Sequence, residues 1–140
     1  MLFTEGELAY LASQPLGRLA TVQPNGTVQV NPVAFHYNAK LGTIDIGGRD
    51  MAASRKFRNV GAGSRVALVV DDIASTRPWR VRCLEIRGTG EALTGPEDSA
   101  TGYGGAIIRI HPRRIISWGI DPPHLALGKR DVAESAATER

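Results

Sequence analysis

Apolar residues recur at alternate positions through much of the chain, and clusters of Gly, Pro, Asn and Asp separate the runs. That period of two is the mark of half-buried strands. The N-terminus is the exception. Thr4 and Glu7 stand three apart in the arrangement that caps a helix, and Leu8, Leu11 and Ala12 then fall at helical spacing. The pattern predicts a short helix over 5–14, stopped by Pro15. Leu16–Val22 reads as a strand, Pro24-Asn25-Gly26 as a hairpin turn, and Val28, Val30, Val33 and Phe35 as a second strand. Asn31-Pro32 within it marks a bulge or a sheet edge, because proline has no N–H for a ladder.

After a turn over Asn38–Gly42, Thr43–Gly47 forms a third strand, and Met51–Val60 reads as helical. Arg65–Val70 is almost continuously apolar, as expected of a strand buried on both faces. Asp71–Pro78 is polar and reads as a loop. Val81–Leu93 alternates imperfectly, which suggests a bulge near Gly88, and Pro96–Ala100 reads as a helical turn. Ala106–Ile110 and Arg114–Ile120 complete the set, broken at His111-Pro112. Six or seven strands with short turns and few helices imply a mainly β, closed or nearly closed antiparallel barrel in one domain over 1–123. The tail over 124–140 has weak periodicity and is expected to be mobile or to dock on a partner subunit.

Charge adds one localised feature. The chain has 17 Lys and Arg against 14 Asp and Glu, a net charge of +3. Residues 49–59, RDMAASRKFRN, carry Arg49, Arg55, Lys56 and Arg58 against Asp50 alone, so this stretch holds the whole excess. Gly47 and Gly48 precede it; Gly61 and Gly63 follow. A strand, a glycine break and a short basic helix is a common way to hold a phosphate, through backbone N–H groups and cationic side chains. A solvated basic helix face has the same composition. With its charge so localised and no nucleic-acid signature, the chain is not expected to bind nucleic acid. The single Cys83 excludes an internal disulfide and a cysteine-based metal site. No apolar run is long enough for a signal peptide or a membrane span, so a cytoplasmic protein is expected. There is no nucleophile elbow, zinc-protease motif, P-loop or dinucleotide fingerprint.

Three longer stretches carry a family resemblance: GRLATVQPNGTVQVNPVAFHYN over 17–38, RKFRN over 55–59 ahead of RVALVVDD, and WRVRCLEIRGTGEAL over 79–93. Together they resemble the split-barrel flavin and deazaflavin oxidoreductases related to pyridoxamine 5′-phosphate oxidase. Within these, the chain is similar to short actinobacterial proteins that bind the deazaflavin coenzyme F420. The ending HPRRIISWGIDPP over 111–123 resembles the subgroup that includes the reductase of late oxytetracycline biosynthesis. The resemblance implies a six-stranded split β-barrel homodimer with two cofactor sites at the subunit interface. It puts the phosphate-binding lysine at Lys56 with Arg55 beside it, and the ring-lining positions at Gln29, Asn31, Pro32 and Val33. Trp79 matches an aromatic that reaches the cofactor from the other subunit. Arg49 stands where a small hydroxyl residue is usual, and Ser54 where a basic one is usual.

Residue chemistry agrees with that placement. A strand carrying Pro32 leaves backbone groups for the edge of a planar heterocycle, and a polyanionic tail needs several cations, which Arg49, Arg55, Lys56 and Arg58 supply. The implied activity is hydride transfer from reduced deazaflavin to an activated double bond of a small organic substrate. An FMN-dependent reductase or oxidase and a deazaflavin carrier without turnover are the alternatives. No catalytic side chain is assigned. His36 could donate a proton or be a half-buried strand histidine; His111 reads as structural, and His124 has no role. Trp118 could wall a cavity or close the barrel end. Arg80, Arg82 and Arg87 with Glu85 could receive an anion or form a cross-strand ion-pair ladder, and Cys83 reads as a small buried hydrophobe.

Overall fold

The computed structural model describes residues 2–102, 104–121 and 127–132. Its elements are helix α1 (Glu5–Ser13), strands β1 (Gly17–Val22), β2 (Val28–Val33), β3 (His36–Asn38) and β4 (Thr43–Ile46), a 3-10 turn (Met51–Ala53), and helix α2 (Arg55–Gly61). Strands β5 (Arg65–Thr76), β6 (Trp79–Thr94), β7 (Ala106–Trp118) and β8 (Leu127–Asp131) follow. Every strand pair is antiparallel, in the order β2-β1-β5-β6-β7-β4-β3. One edge of β7 carries two neighbours, β4 along Ile108–Ile110 and β8 along Arg114–Trp118. The expected mainly β split barrel is what the chain forms, with eight strands among the described residues rather than six; β3 and β8 are the additions.

Burial explains the sheet. Leu19, Val66, Leu68, Val70, Leu84, Ile86, Ile108, Ile110 and Ile115 point inward with Ile44 and Ile46, and all are buried. At roughly 1.5–3 kcal/mol per fully buried aliphatic side chain, this face dominates the folding energy. Residues 65–70 depart from the expectation of burial on both faces. Val66, Leu68 and Val70 are buried, whereas Ala67 and Val69 turn to a half-buried outer face.

Gly88 sets the bulge that the imperfect alternation implied. The register shifts between Arg87 and Gly88, and a Cβ on Gly88 would lie 2.0 Å from the His111 carbonyl oxygen. The same bulge absorbs Pro112, which faces Gly88, so β7 runs unbroken where a break was expected. Residues 71–76 continue β5 rather than forming a loop, and 96–100 make an irregular turn rather than a helical one.

The Thr4–Glu7 capping box is present. Glu7 is fully buried and also accepts from Arg130 of β8, at 2.9 Å to Oε2 and by a second bond to Oε1; Arg130 Nη2 donates to the Leu2 carbonyl at 2.8 Å. Part of the tail is therefore a strand of this chain's own sheet. His124 and residues 133–140 lie outside the described residues.

Candidate functional site

The β1–β2 hairpin closes through Gln23 N–H to the Thr27 carbonyl and Gly26 N–H to the Gln23 carbonyl, both 2.8 Å, with Gly26 at φ +91°. In an antiparallel ladder bonded pairs alternate, so this register bonds Thr21 with Gln29 and Leu19 with Asn31. Val28, Val30 and Pro32 then turn their backbone groups to the free edge, where the missing N–H of Pro32 leaves the ladder intact. The side chains divide likewise: Val28, Val30 and Pro32 are exposed on the outer face, Gln29 and Asn31 are half-buried on the inner one, and Val33 enters the core.

Helix α2 lies against that inner face. The region expected as one helix divides at Ser54, whose Oγ accepts from Phe57 N–H at 3.2 Å and donates to the Met51 carbonyl at 2.6 Å. Ser54 thus caps the helix. Gly90 on β6 admits the helix, since a Cβ there would meet Val60 Cγ1 at 2.9 Å. Asn59, 1% exposed, donates through Nδ2 to Thr21 Oγ1 at 3.0 Å and to Gln29 Oε1 at 3.4 Å. Gln29 Nε2 in turn donates to Asn31 Oδ1 at 2.8 Å. Arg55 and Lys56 stand four and three residues before Asn59, hence one turn away on the same side of the helix.

The four cations are not equivalent. Arg58 is folded back, donating to the Ala53 carbonyl at 2.8 Å. Arg49, Arg55 and Lys56 have no acidic partner among the described residues. Gln29, Asn31, Arg55 and Lys56 thus form one neighbourhood around Asn59. A half-buried amide chain anchored on buried Asn59, beside cations without acidic partners among the described residues, fits a planar heterocycle carrying an anionic tail.

Trp79 is elsewhere. It is 63% exposed and pairs with Thr76, eight residues along β5 from Leu68, the neighbour of the Leu19–Asn31 pair. At about 3.3 Å per residue that is roughly 25 Å from the amide chain. Within one protomer the two do not meet. On the same β5–β6 ladder, the Tyr10 hydroxyl donates to Asp72 Oδ1 at 2.8 Å, and Arg82 donates to both Asp72 oxygens at 2.9 and 2.5 Å. Burial and the Asp72 contact push the Tyr10 phenol above its usual range, and the Arg82 guanidinium holds Asp72 below the usual carboxylate range.

Among the other candidates, Arg82 and Asp72 face each other in register as a cross-strand ion pair, whereas Arg87 bonds Glu85, two residues earlier on its own strand, at 2.7 Å. Arg80 is exposed. Burial raises the Cys83 thiol, helped by Asp71 and Glu85, which leaves it protonated and unreactive. His36 on β3 lines a cleft together with Leu8 and Leu11 of α1. His111 bonds Glu91, and Trp118 is 37% exposed at the end of β7.

Sequence reasoning missed Asn59. Its one signal was a polar residue at helical spacing from the basic pair. Asp45 and Arg109 were missed too; both are lone charges in apolar strands, buried as an ion pair with Nε to Oδ1 at 2.9 Å.

Residues 3–124 match the family described as pyridoxamine 5′-phosphate oxidase. The chain belongs to that family. It is 49% identical over 122 residues to the 5a,11a-dehydrotetracycline/5a,11a-dehydrooxytetracycline reductase of Streptomyces rimosus, covering 86% of each chain. Among solved structures it resembles a conserved hypothetical protein from Mycobacterium tuberculosis, with TM-score 0.68 and 21% identity over 98% of this chain and 96% of that one. It also resembles an FAD-binding protein from Mycobacterium smegmatis, with TM-score 0.63 and 16% identity over 82% and 93%. These two show the fold. Family and reductase relative together make this chain an oxidoreductase acting on a small molecule. Among the described residues no helix is long and apolar enough to cross a membrane.

Proposed function

We propose that this chain is a reductase dependent on the deazaflavin coenzyme F420, working as a homodimer on an activated carbon–carbon double bond of a small organic substrate. The observation that carries the reading is that Asn59 of α2, one helical turn after Arg55 and Lys56, is bonded to Gln29 and through it to Asn31 on β2. The 49% identity to a reductase of dehydrotetracyclines supports the same substrate class, a polycyclic enone.

When bound, the reduced deazaflavin supplies a hydride; the protein's work is binding, orientation and water exclusion. Lys56 and Arg55 would hold the phosphate, and Arg49 the carboxylates of the tail. Three cations without acidic partners among the described residues exceed what the single phosphate of FMN needs, which is why the longer anionic tail is favoured. Gln29 and Asn31 would meet the polar edge of the ring, with Pro32 and Val33 shaping the strand beneath it. Trp79 would come from the partner subunit, the arrangement that its distance from the amide chain in one protomer requires. Ser54 would act through the backbone it caps.

Titrating the apo-protein side by side with oxidised deazaflavin and with FMN, followed by fluorescence, tests this. Tighter deazaflavin binding is expected. A preference for FMN would overturn the cofactor assignment, and binding of neither would return residues 49–59 to a solvated basic face.

A further inference from the structure

Asn59 Oδ1 is a buried oxygen with no hydrogen-bond partner among the described residues. Buried amide oxygens are nearly always paired. An orphan next to a chain of three amides asks which way that chain runs. Asn59 Nδ2 donates to Gln29 Oε1, and Gln29 Nε2 donates to Asn31 Oδ1. Asn31 Nδ2 has no partner among the described residues, so the chain ends in free N–H groups on the inner face of β2.

The chain has one other self-consistent state. If all three amides turn over together, Asn31 Nδ2 donates to Gln29 Oε1, Gln29 Nε2 donates to Asn59 Oδ1, and Asn31 presents its oxygen instead. Turning one or two would place oxygen against oxygen or N–H against N–H. In the turned state Asn59 Oδ1 gains Gln29 and the Thr21 hydroxyl, but both Asn59 Nδ2 hydrogens take the unpaired place. One orphan acceptor is less costly than two orphan donors, so burial of Asn59 selects the observed polarity.

We infer that Asn59 is a positioning residue that fixes the polarity of the Gln29–Asn31 pair, so that Asn31 offers hydrogen-bond donors to a carbonyl-type acceptor of the ligand ring. This rests on the proposed cofactor site, and it deepens it: the amide chain reads the ring, whereas Lys56 reads the phosphate. Asn59 touches neither. Its influence passes through Gln29.

The test separates these parts. Wild type, Asn59→Leu, Asn59→Asp and Lys56→Glu are titrated with phosphate-free deazaflavin riboside and with inorganic phosphate. The side-chain amide signals of Gln29 and Asn31 are followed by ¹⁵N–¹H NMR in the apo-protein. Asn59→Leu is expected to weaken the riboside about tenfold, leave phosphate unchanged, and shift both amide pairs. Asn59→Asp has only acceptors at position 59, so it forces the turned state and should weaken the riboside further. Lys56→Glu should weaken phosphate alone. Unchanged Gln29 and Asn31 signals in both Asn59 variants would overturn the inference, as would equal loss of both ligands. If wild type binds neither ligand, the cofactor reading fails while the amide spectra still decide whether Asn59 sets the chain. A fold lost in Asn59→Leu is separated by Thr21→Val, which removes the other partner of Asn59 and should shift the same signals.

Discussion

Removing the charge of Asp45 should cost this chain several kcal/mol of stability. Asp45 is fully buried and accepts five bonds: from Asn38 Nδ2 at 3.0 Å, Thr43 Oγ1 at 3.2 Å, Ala100 N–H at 2.9 Å, and Arg109 Nε and Nη2 at 2.9 and 3.2 Å. Arg109 is itself 7% exposed, with Asp98 as its second carboxylate at 3.0 Å. Asp45→Asn keeps the shape but leaves a buried guanidinium short of its main counter-ion and puts an N–H₂ where an acceptor is needed. Breaking a buried pair from one side costs about 3–5 kcal/mol. For a domain of this size that is a fall of roughly 10–15 °C in Tm. Urea unfolding of Asp45→Asn, Arg109→Met and the double variant gives the coupling. A loss under about 1 kcal/mol, or a double variant whose loss equals the sum of the singles, would refute the reasoning.

The same carboxylate sets an acid limit. Burial alone would raise Asp45, but bonds from Arg109, Asn38 and Ala100 outweigh it and hold the group below the usual carboxylate range. A depressed folded-state value means stability present above the unfolded value near 4 and lost as pH falls through the folded one. Wild type should lose stability steadily below pH 4, and Asp45→Asn should lose less over that interval.

Three further outcomes are expected. Lys56→Glu should raise the dissociation constant for oxidised deazaflavin about 100-fold, roughly 2.8 kcal/mol, with unfolding unchanged within about 0.5 kcal/mol, because Lys56 has no ion pair among the described residues to lose; calorimetry alongside fluorescence titration reads both. Arg130→Met should cost about 3 kcal/mol in urea unfolding, since it strands the buried Glu7 carboxylate and frees β8 from α1. Gly90→Ala should cost about 1–3 kcal/mol and weaken cofactor binding in the same variant, because the new methyl meets Val60 and moves α2 off β6.

What the sequence made legible was whatever rests on local rules. The Thr4–Glu7 box, the Pro24–Gly26 turn, the edge position of Pro32 and the bulge at Gly88 each follow from the conformational limits of a few neighbouring residues. Pro112 misled because its missing N–H is excused by Gly88, a residue far away in sequence. Residues 71–76 looked like a loop because their strand is held by cross-strand charges such as Asp72 with Arg82 rather than by an apolar face. β8 was hidden for the same reason: Arg130 with Glu7 and Asp131 with Arg114 hold it, and neither pair leaves a period.

The candidate site shows the same division between local and assembled information. Composition alone located the cations, since charge density is a property of one short segment. The amides were harder, because Thr21, Gln29, Asn31 and Asn59 become a chain only when α2 lies down on β2, and that depends on Gly90 leaving room for Val60. Trp79 is harder still. No folding of a single protomer brings it to the amides, so the proposed role requires a second copy. A subunit-mixing experiment isolates that dependence. Heterodimers that pair a protomer carrying both Trp79→Ala and Lys56→Glu with a wild-type protomer should hold almost no deazaflavin, because each of the two sites then lacks either an intact α2 or an intact partner tryptophan. Binding at half the wild-type stoichiometry would show that Trp79 takes no part across the interface.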